Sequence, residues 1–245
     1  MEEITRDVFL VRASDVNCYL LRDGEDVTLV DAGYPADTVT VMDALENIGR
    51  RPQDVKAILV THAHIDHIGA VGQLHDTYGT PVYTGEAEVA HAHGDYREQL
   101  TPVRAVLNAW RPGALPWMVR AARHGGTRRI ALPYAQTFDP DEGALDLPGK
   151  PLPVTTRGHT TGHTAYLLPG PGAVLTGDAL VTGHPLSRHE GPQLLPKMFH
   201  HDEDQARGPA LGELDKLDAE LLLPGHGDAW NVPMSKAVDA ARGER

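Results

Sequence analysis

Four metal-competent side chains, His62, His64, Asp66 and His67, crowd into six residues of the run Thr61-His62-Ala63-His64-Ile65-Asp66-His67-Ile68-Gly69. That spacing restricts the backbone able to carry them. On an α-helix, residues two apart project roughly 200° from one another, so His62 and His64 could not meet at one ion. Zinc-binding helices space their histidines four apart instead. The apolar run 55–60 leads straight into the cluster and reads as a buried strand. The cluster therefore belongs on a strand-end loop, where turns of backbone can converge the side chains on a rigid sheet edge.

Three further places repeat the arrangement. Gly158-His159-Thr160-Thr161-Gly162-His163 precedes the apolar run 165–168, Thr176-Gly177-Asp178 ends the run 173–176, and Pro224-Gly225-His226-Gly227 ends the run 220–223. Each time a His or Asp stands beside glycine at a strand end, so all these groups would converge at one edge of the sheets. A lone His-x-His is common on protein surfaces; four such motifs in one chain are not a surface accident. Of the 14 histidines, six lie in these motifs. The other eight, His75, His91, His93, His124, His184, His189, His200 and His201, read as surface residues.

The remaining pattern predicts the scaffold. Runs 8–11, 18–21 and 27–30 read as strands, with Asp23-Gly24 as a hairpin turn. The segment 36–48 reads as a helix burying Val39, Met42, Leu45 and Ile48 and closed by Gly49. A helix through Ile68, Val71 and Leu74 ends at Gly79, and a strand follows over 81–84. Strands are expected again at 154–156, and a helix over 204–217. Strand-rich halves with helices after the strands predict two packed sheets with helices outside. Between the halves, 86–129 is helical in pattern and locally basic, with seven arginines against four acidic residues and both Trp110 and Trp117.

Composition excludes some classes. The formal net charge of -12 argues against a nucleic-acid partner, whose phosphates need Lys and Arg. The single cysteine, Cys18, rules out an intramolecular disulfide and a thiolate metal site. No run approaches the ~20 apolar residues of a membrane span, and the N-terminal MEEITRDVFLVRASD lacks the pattern of a signal peptide. A cytoplasmic protein acting on a small molecule is expected. No linker interrupts the chain, so residues 1–245 are expected to form one domain.

The motifs carry a resemblance. The His-x-His-x-Asp-His signature at 62–67, followed in order by His159, Asp178 and His226, resembles the metallo-β-lactamase superfamily from Val8 to about His226, with 86–129 as a helical insertion. The resemblance implies an α/β (α+β) fold, a four-layer αββα sandwich with the site at one edge. It implies that His62, His64 and His159 hold one metal, that Asp66, His67 and His226 hold another, and that Asp178 bridges them with a hydroxide. Two zinc ions suit a set of imidazoles and carboxylates; Fe or Mn suits it too. Asp31 resembles a family aspartate that orients a metal-binding histidine, although Asp-Ala-Gly also reads as a plain strand-end turn. His163 reads as a supporting or packing residue.

Departures from the family pattern narrow the activity. There is no cysteine ligand or secretion signal, as zinc β-lactamases have. Only nineteen residues follow His226, so the glutathione-gripping domain of glyoxalase II-like thioesterases is not expected, despite a similar Asn17-Cys18-Tyr19. Val181 stands where N-acyl homoserine lactonases keep a tyrosine, and His64 stands where flavodiiron proteins have glutamate. The expectation is a dinuclear metal-dependent hydrolase that cleaves a thioester, ester or lactone through the bridging hydroxide, with Asp66 assisting catalysis. The alternatives are a mononuclear iron oxygenase of the persulfide dioxygenase kind, and a vestigial metal-binding sensor. With no acid beside Asp178, good leaving groups should be favoured unless His184, His189, His200 or His201 folds back. The stretch 86–129 is expected either to wall the site or to pack onto the core or a homodimer interface.

Overall fold

The computed structural model describes residues 1–138 and 143–243. Seven strands follow one another in sequence order across the first sheet: β1 (Glu2–Thr5), β2 (Val8–Arg12), β3 (Asn17–Asp23), β4 (Asp26–Val30), β5 (Val55–Leu59), β6 (Val82–Thr84) and β7 (Gln136–Thr137). The first four pair antiparallel, and from β4 onward the pairing is parallel. The second sheet holds β8 (Leu152–Thr155), β9 (Thr164–Leu168), β10 (Ala173–Gly177), β11 (Leu221–Pro224) and β12 (Trp230–Asn231), with β10 and β11 parallel.

Alternation along the strands decides the layering. In β2 and β3, Leu10, Tyr19 and Leu21 face the second sheet and pack with Tyr166, Leu168 and Leu175. Their neighbours Phe9, Val11, Cys18 and Leu20 face the other way and pack beneath α1 (Thr38–Asn47) and α2 (Val71–Tyr78). A strand buried on both faces needs cover on both sides. The second sheet repeats the arrangement: Val174 and Leu222 face outward onto Leu211, Leu214 and the helix Met234–Gly243. The result is the expected αββα sandwich.

Local differences have physical causes. In α1 the buried face is Val41, Ala44, Leu45 and Ile48, while Val39 is exposed. Apolar residues flank both sides of that helix, and tertiary contact selects the i, i+3, i+4, i+7 set. The helix expected over 204–217 is interrupted by a π-turn at Ala206–Ala210 that contains Pro209, whose ring displaces the ordinary i−4 bond. The strands β1, β7 and β12 and the helix Met234–Gly243 were not expected. Among the described residues no helix is long and apolar enough to cross a membrane.

Candidate metal centre

All four motifs meet at one edge of the sandwich. The first leaves the end of β5, the second precedes β9, and Asp178 and His226 follow β10 and β11. The ends of parallel strands are where open α/β sheets place their sites. Three groups of ligating atoms form there: His62, His64 and His159; Asp66, His67 and His226; and His62, His67 and Asp178. Asp178 is central. Its Oδ2 lies 3.3 Å from His226 Nε2, 3.4 Å from His159 Nε2 and 3.9 Å from His62 Nε2, and its Oδ1 lies 3.4 Å from His67 Nε2. Asp66, half-buried, comes within 3.6 Å of His226 Nε2. The seven residues expected to form the centre are thus all brought together.

Hydrogen bonds set which nitrogen His62, His64, His67 and His226 turn inward; His159 turns Nε2 inward while its buried Nδ1 has no hydrogen-bond partner among the described residues. His67 Nδ1 donates to Asp31 Oδ2 at 2.8 Å, and His226 Nδ1 donates to the Asp15 carbonyl. His62 Nδ1 is 3.0 Å from Thr61 Oγ1, which itself donates to Asp31 at 2.7 Å. His64 Nε2 donates to the Glu98 carbonyl at 3.3 Å, which leaves Nδ1 facing His159 Nε2 at 3.0 Å. Fixing the outer nitrogen in this way prepares the inner one as a ligand. Both readings of Asp31 hold at once, since it is a strand-end residue with φ of 56° and the hydrogen-bond partner of His67. His163 supports Asp178: its Nδ1 donates to Thr156 Oγ1 at 2.8 Å and its Nε2 accepts the Asp178 N–H at 3.1 Å.

The inner atoms fit a metal ion. His62 Nε2, His67 Nε2 and Asp178 Oδ1 are fully buried yet have no hydrogen-bond partner, an arrangement that natural interiors rarely tolerate. Burial pushes His62 and His159 well below the ordinary histidine range. Burial is the largest single influence on His67 and His226 and would lower both, but Asp178, joined by Asp31 at His67 and by Asp66 at His226, holds them above that range. Asp178 is held well below the carboxylate range by His226 and His67 despite its burial. Protons on His67 and His226 thus balance the buried carboxylates, a task a divalent ion performs without them. Close packing permits little variation here, because a Cβ on Gly225 would collide with Asp178 Oδ1, the Gly177 backbone and the His67 ring.

Several supporting residues were missed in the sequence. Glu88 is completely buried. Its Oε1 accepts from Ala63 N–H at 2.8 Å and His91 Nδ1 at 2.7 Å; its Oε2 accepts from Thr160 Oγ1 at 2.7 Å and Gly162 N–H at 3.0 Å. One carboxylate therefore clamps the first two metal motifs together. Glu98 adds bonds from the Thr161 backbone and hydroxyl. Two of the eight histidines read as surface residues, His91 and His200, are buried. On the other flank, Asn17 Nδ2 donates to the Pro224 and Gly227 carbonyls at 3.0 and 2.7 Å, and Tyr19 Oη to Pro224 at 2.7 Å, which fixes the His226 loop to the first sheet.

Above the centre lies a cavity of about 540 Å³, floored by His64, Asp66, His159, Asp178 and His226. Its wall comes from the stretch 86–129, which folds as α3 (Val89–His93), α4 (Pro102–Leu107) and α5 (Ala114–Arg123). Leu100, Val106, Trp117 and Met118 line it. Trp117 leans edge-on against Phe199, ring centroids 5.6 Å apart. Trp110 and Leu115 are 79% and 61% exposed and do not pack onto the core.

Sequence comparison agrees with the geometry. The sequence model of the metallo-beta-lactamase superfamily matches residues 11–226, and the chain belongs to that family. The chain is 28% identical over 247 residues to the probable metallo-hydrolase YflN of Bacillus subtilis, covering 95% of this chain and 87% of the relative. It shares 40% identity over 77 residues with the exodeoxyribonuclease WalJ of Streptococcus pneumoniae, covering 31% of this chain and 28% of that one. The metallo-beta-lactamase family protein TTHA1429 of Thermus thermophilus superimposes with a TM-score of 0.67 at 24% identity, over 98% of this chain and 79% of that one. At the level of the superfamily, the protein is a metal-dependent hydrolase.

Proposed function

We propose that this hydrolase uses two metal ions, zinc first among them, to cleave thioesters and related activated esters of a small molecule. The observation that carries the reading is the pair of ligand groups on either side of Asp178, at the floor of a cavity with a largely apolar wall. His62, His64 and His159 would hold one ion, and Asp66, His67 and His226 the other. Such ions supply Lewis acidity and a hydroxide nucleophile at neutral pH. Asp178 lies between the two groups and Asp66 faces the cavity, where its free oxygen can orient the attacking group and receive a proton. A mononuclear iron oxygenase needs two histidines and one carboxylate around a single ion, whereas full ligand groups on either side of Asp178 favour two ions. The likeness to the exodeoxyribonuclease covers under a third of the chain.

Leaving-group preference follows from the protons available. Of the four histidines named as acids, His184 reaches the cavity. Its Nδ1 accepts the Leu186 N–H at 3.1 Å, which leaves an N–H on Nε2. Burial, reinforced by His226, pushes its pKa down to about 3, so at neutral pH it offers a hydrogen bond and not a proton. His200 spends its Nε2 on the Leu195 carbonyl at 2.9 Å. A thiol, with a pKa near ~8.5, departs without strong acid help, whereas an unstrained amine needs a proton. Substrates sharing one acyl group should therefore react in the order thioester, aryl ester, alkyl ester, amide. Equal rates for amides and thioesters would refute the reading, as would a protein that binds one iron and consumes oxygen.

A further inference from the structure

The wall of the cavity carries a charge pattern that hydrolysis alone does not use. Residues 99–138 contain six arginines and no acidic residue, in a chain with 34 Asp and Glu. Two of those arginines, Arg128 and Arg129, line the cavity together with Arg97. None of the three has an ion-pair partner among the described residues, although Arg120 on the same stretch pairs with Asp15 at 2.8 Å. The carboxylates that line the cavity, Asp66 and Asp178, sit on the metal-facing floor. Three unpaired guanidinium groups beside an apolar wall make an electropositive rim in an acidic protein.

We infer that Arg97, Arg128 and Arg129 form an anion-recognition site on the rim of the cavity, so that the substrate is an amphiphilic acyl compound carrying a carboxylate, phosphate or sulfonate group away from the scissile bond. The inference rests on the proposed hydrolysis of thioesters and names their class. A guanidinium presents several N–H donors in a plane that matches a carboxylate or phosphate edge, and remains charged at any working pH. Leu100, Trp117 and Met118 give the uncharged part of the substrate an apolar surface. The rim arginines are solvent-facing, so each contact is weak and screened by salt. Their combined effect is on selection and capture, not on the chemical step.

The test uses the zinc-loaded full chain and two matched thioester pairs. One pair shares an octanoyl group and leaves as 2-mercaptoethanesulfonate or 2-mercaptoethanol; the other shares the thiol and carries a succinyl or a butyryl group. At least one pair should show about a tenfold preference in kcat/KM for the anion, as two or three solvent-facing ion pairs together would supply. That preference should fall as salt rises and collapse towards unity in Arg128→Gln/Arg129→Gln. Arg123→Gln, outside the cavity, serves as the control. Anionic members no better than neutral ones in both pairs would overturn the anion site and leave hydrolysis intact. Failure to cleave any of the four would refute the proposed function instead. In that event calorimetry with octanesulfonate, a poor metal ligand, still decides the site. Binding weakened about tenfold in the double variant supports it, and binding unchanged by the variant overturns it.

Discussion

The floor and the wall of the cavity are built in opposite ways. On the floor, most of the imidazoles and carboxylates are fixed by hydrogen-bond partners: Asp31 and Thr61 behind His67 and His62, His163 behind Asp178, Glu88 across two motifs. On the wall, α4, α5 and the link between them leave Val103, Val106, Leu107, Trp110 and Leu115 each more than 60% exposed. Among the described residues the side-chain ties around α4 and α5 to the rest are few, such as Arg120 to Asp15 and the Ser14 hydroxyl to His124 Nδ1 at 2.7 Å, whereas Glu88 and Glu98, earlier on the same stretch, belong with the floor. Precision belongs where reacting atoms must be held, and tolerance where substrates differ. Floor and wall should therefore fail differently when perturbed.

The largest effect belongs to the residue between the two ligand groups. Asp178→Ala should lower bound metal from about two ions per chain and reduce kcat/KM by roughly 10³-fold or more, as expected when metal chemistry worth several kcal/mol is lost. Metal analysis beside steady-state kinetics checks it, and a variant that keeps both ions and its rate would erase the distinction drawn for the floor. Metal binding should also be steeply pH-dependent. In the metal-free protein His67 and His226 are held above the ordinary histidine pKa. The stability they contribute is fully present below about 6.5, their unfolded value, and is lost as pH rises through their folded values. Asp178, held low, contributes stability above about 3.8 that is lost only in stronger acid. An ion must displace the histidine protons, so zinc affinity should climb by roughly tenfold per pH unit for each proton displaced. Calorimetric titrations between pH 5.5 and 7.5 that show a flat affinity would contradict this.

Glu88 tests the floor from behind. It touches no proposed ligand atom, yet Glu88→Gln would replace an acceptor with an NH₂ group facing donors at Thr160 and Gly162 or at Ala63 and His91. Supporting groups of this kind are worth about 10- to 100-fold in metal affinity or activity. The variant should lose zinc affinity by that factor while circular dichroism shows the fold retained. Unchanged zinc affinity would mean that the first and second motifs do not need the clamp.

How much of this was legible in the sequence differs between the two regions for a physical reason. Metal coordination demands particular atoms at strand ends, so all seven candidate ligands could be read from residue type and the apolar runs beside them. The partners of Glu88 are mostly backbone N–H groups and a threonine hydroxyl, which leave no pattern in residue type. His91 looked like one surface histidine among eight because a Glu and a His three apart is equally the pattern of an exposed helical pair, and nothing local tells that both are buried. Two packed sheets with helices outside followed from the apolar strand runs and the helices after them, and the four layers from the family resemblance, whereas β7 and β12, two residues each, are too short to show a period. The helix Met234–Gly243 buries only Met234, Ala237, Val238 and Ala241, and its small alanines give little apolar contrast.

The smallest effects separate two tryptophans that the sequence could not tell apart. Trp117 lines the cavity and contacts both Phe199 and His184, so Trp117→Ala removes apolar surface from the substrate side while no proposed ligand is touched. KM for long-chain thioesters should rise several-fold to about tenfold, with metal content unchanged and kcat nearly so, because lost uniform binding acts on KM. Trp110 is 79% exposed and lines no part of the cavity. Substitution at such a position ordinarily changes stability by less than about 0.5 kcal/mol, so Trp110→Ala should leave KM, kcat and zinc content within error of the parent. The contrast is sharp because both residues sit on the same stretch and differ only in which way they face. If Trp117→Ala lowered metal content, floor and wall would be one mechanical unit. If Trp110→Ala raised KM, the outer face of the stretch would have to close over substrate during turnover, and the cavity described here would be only its open form.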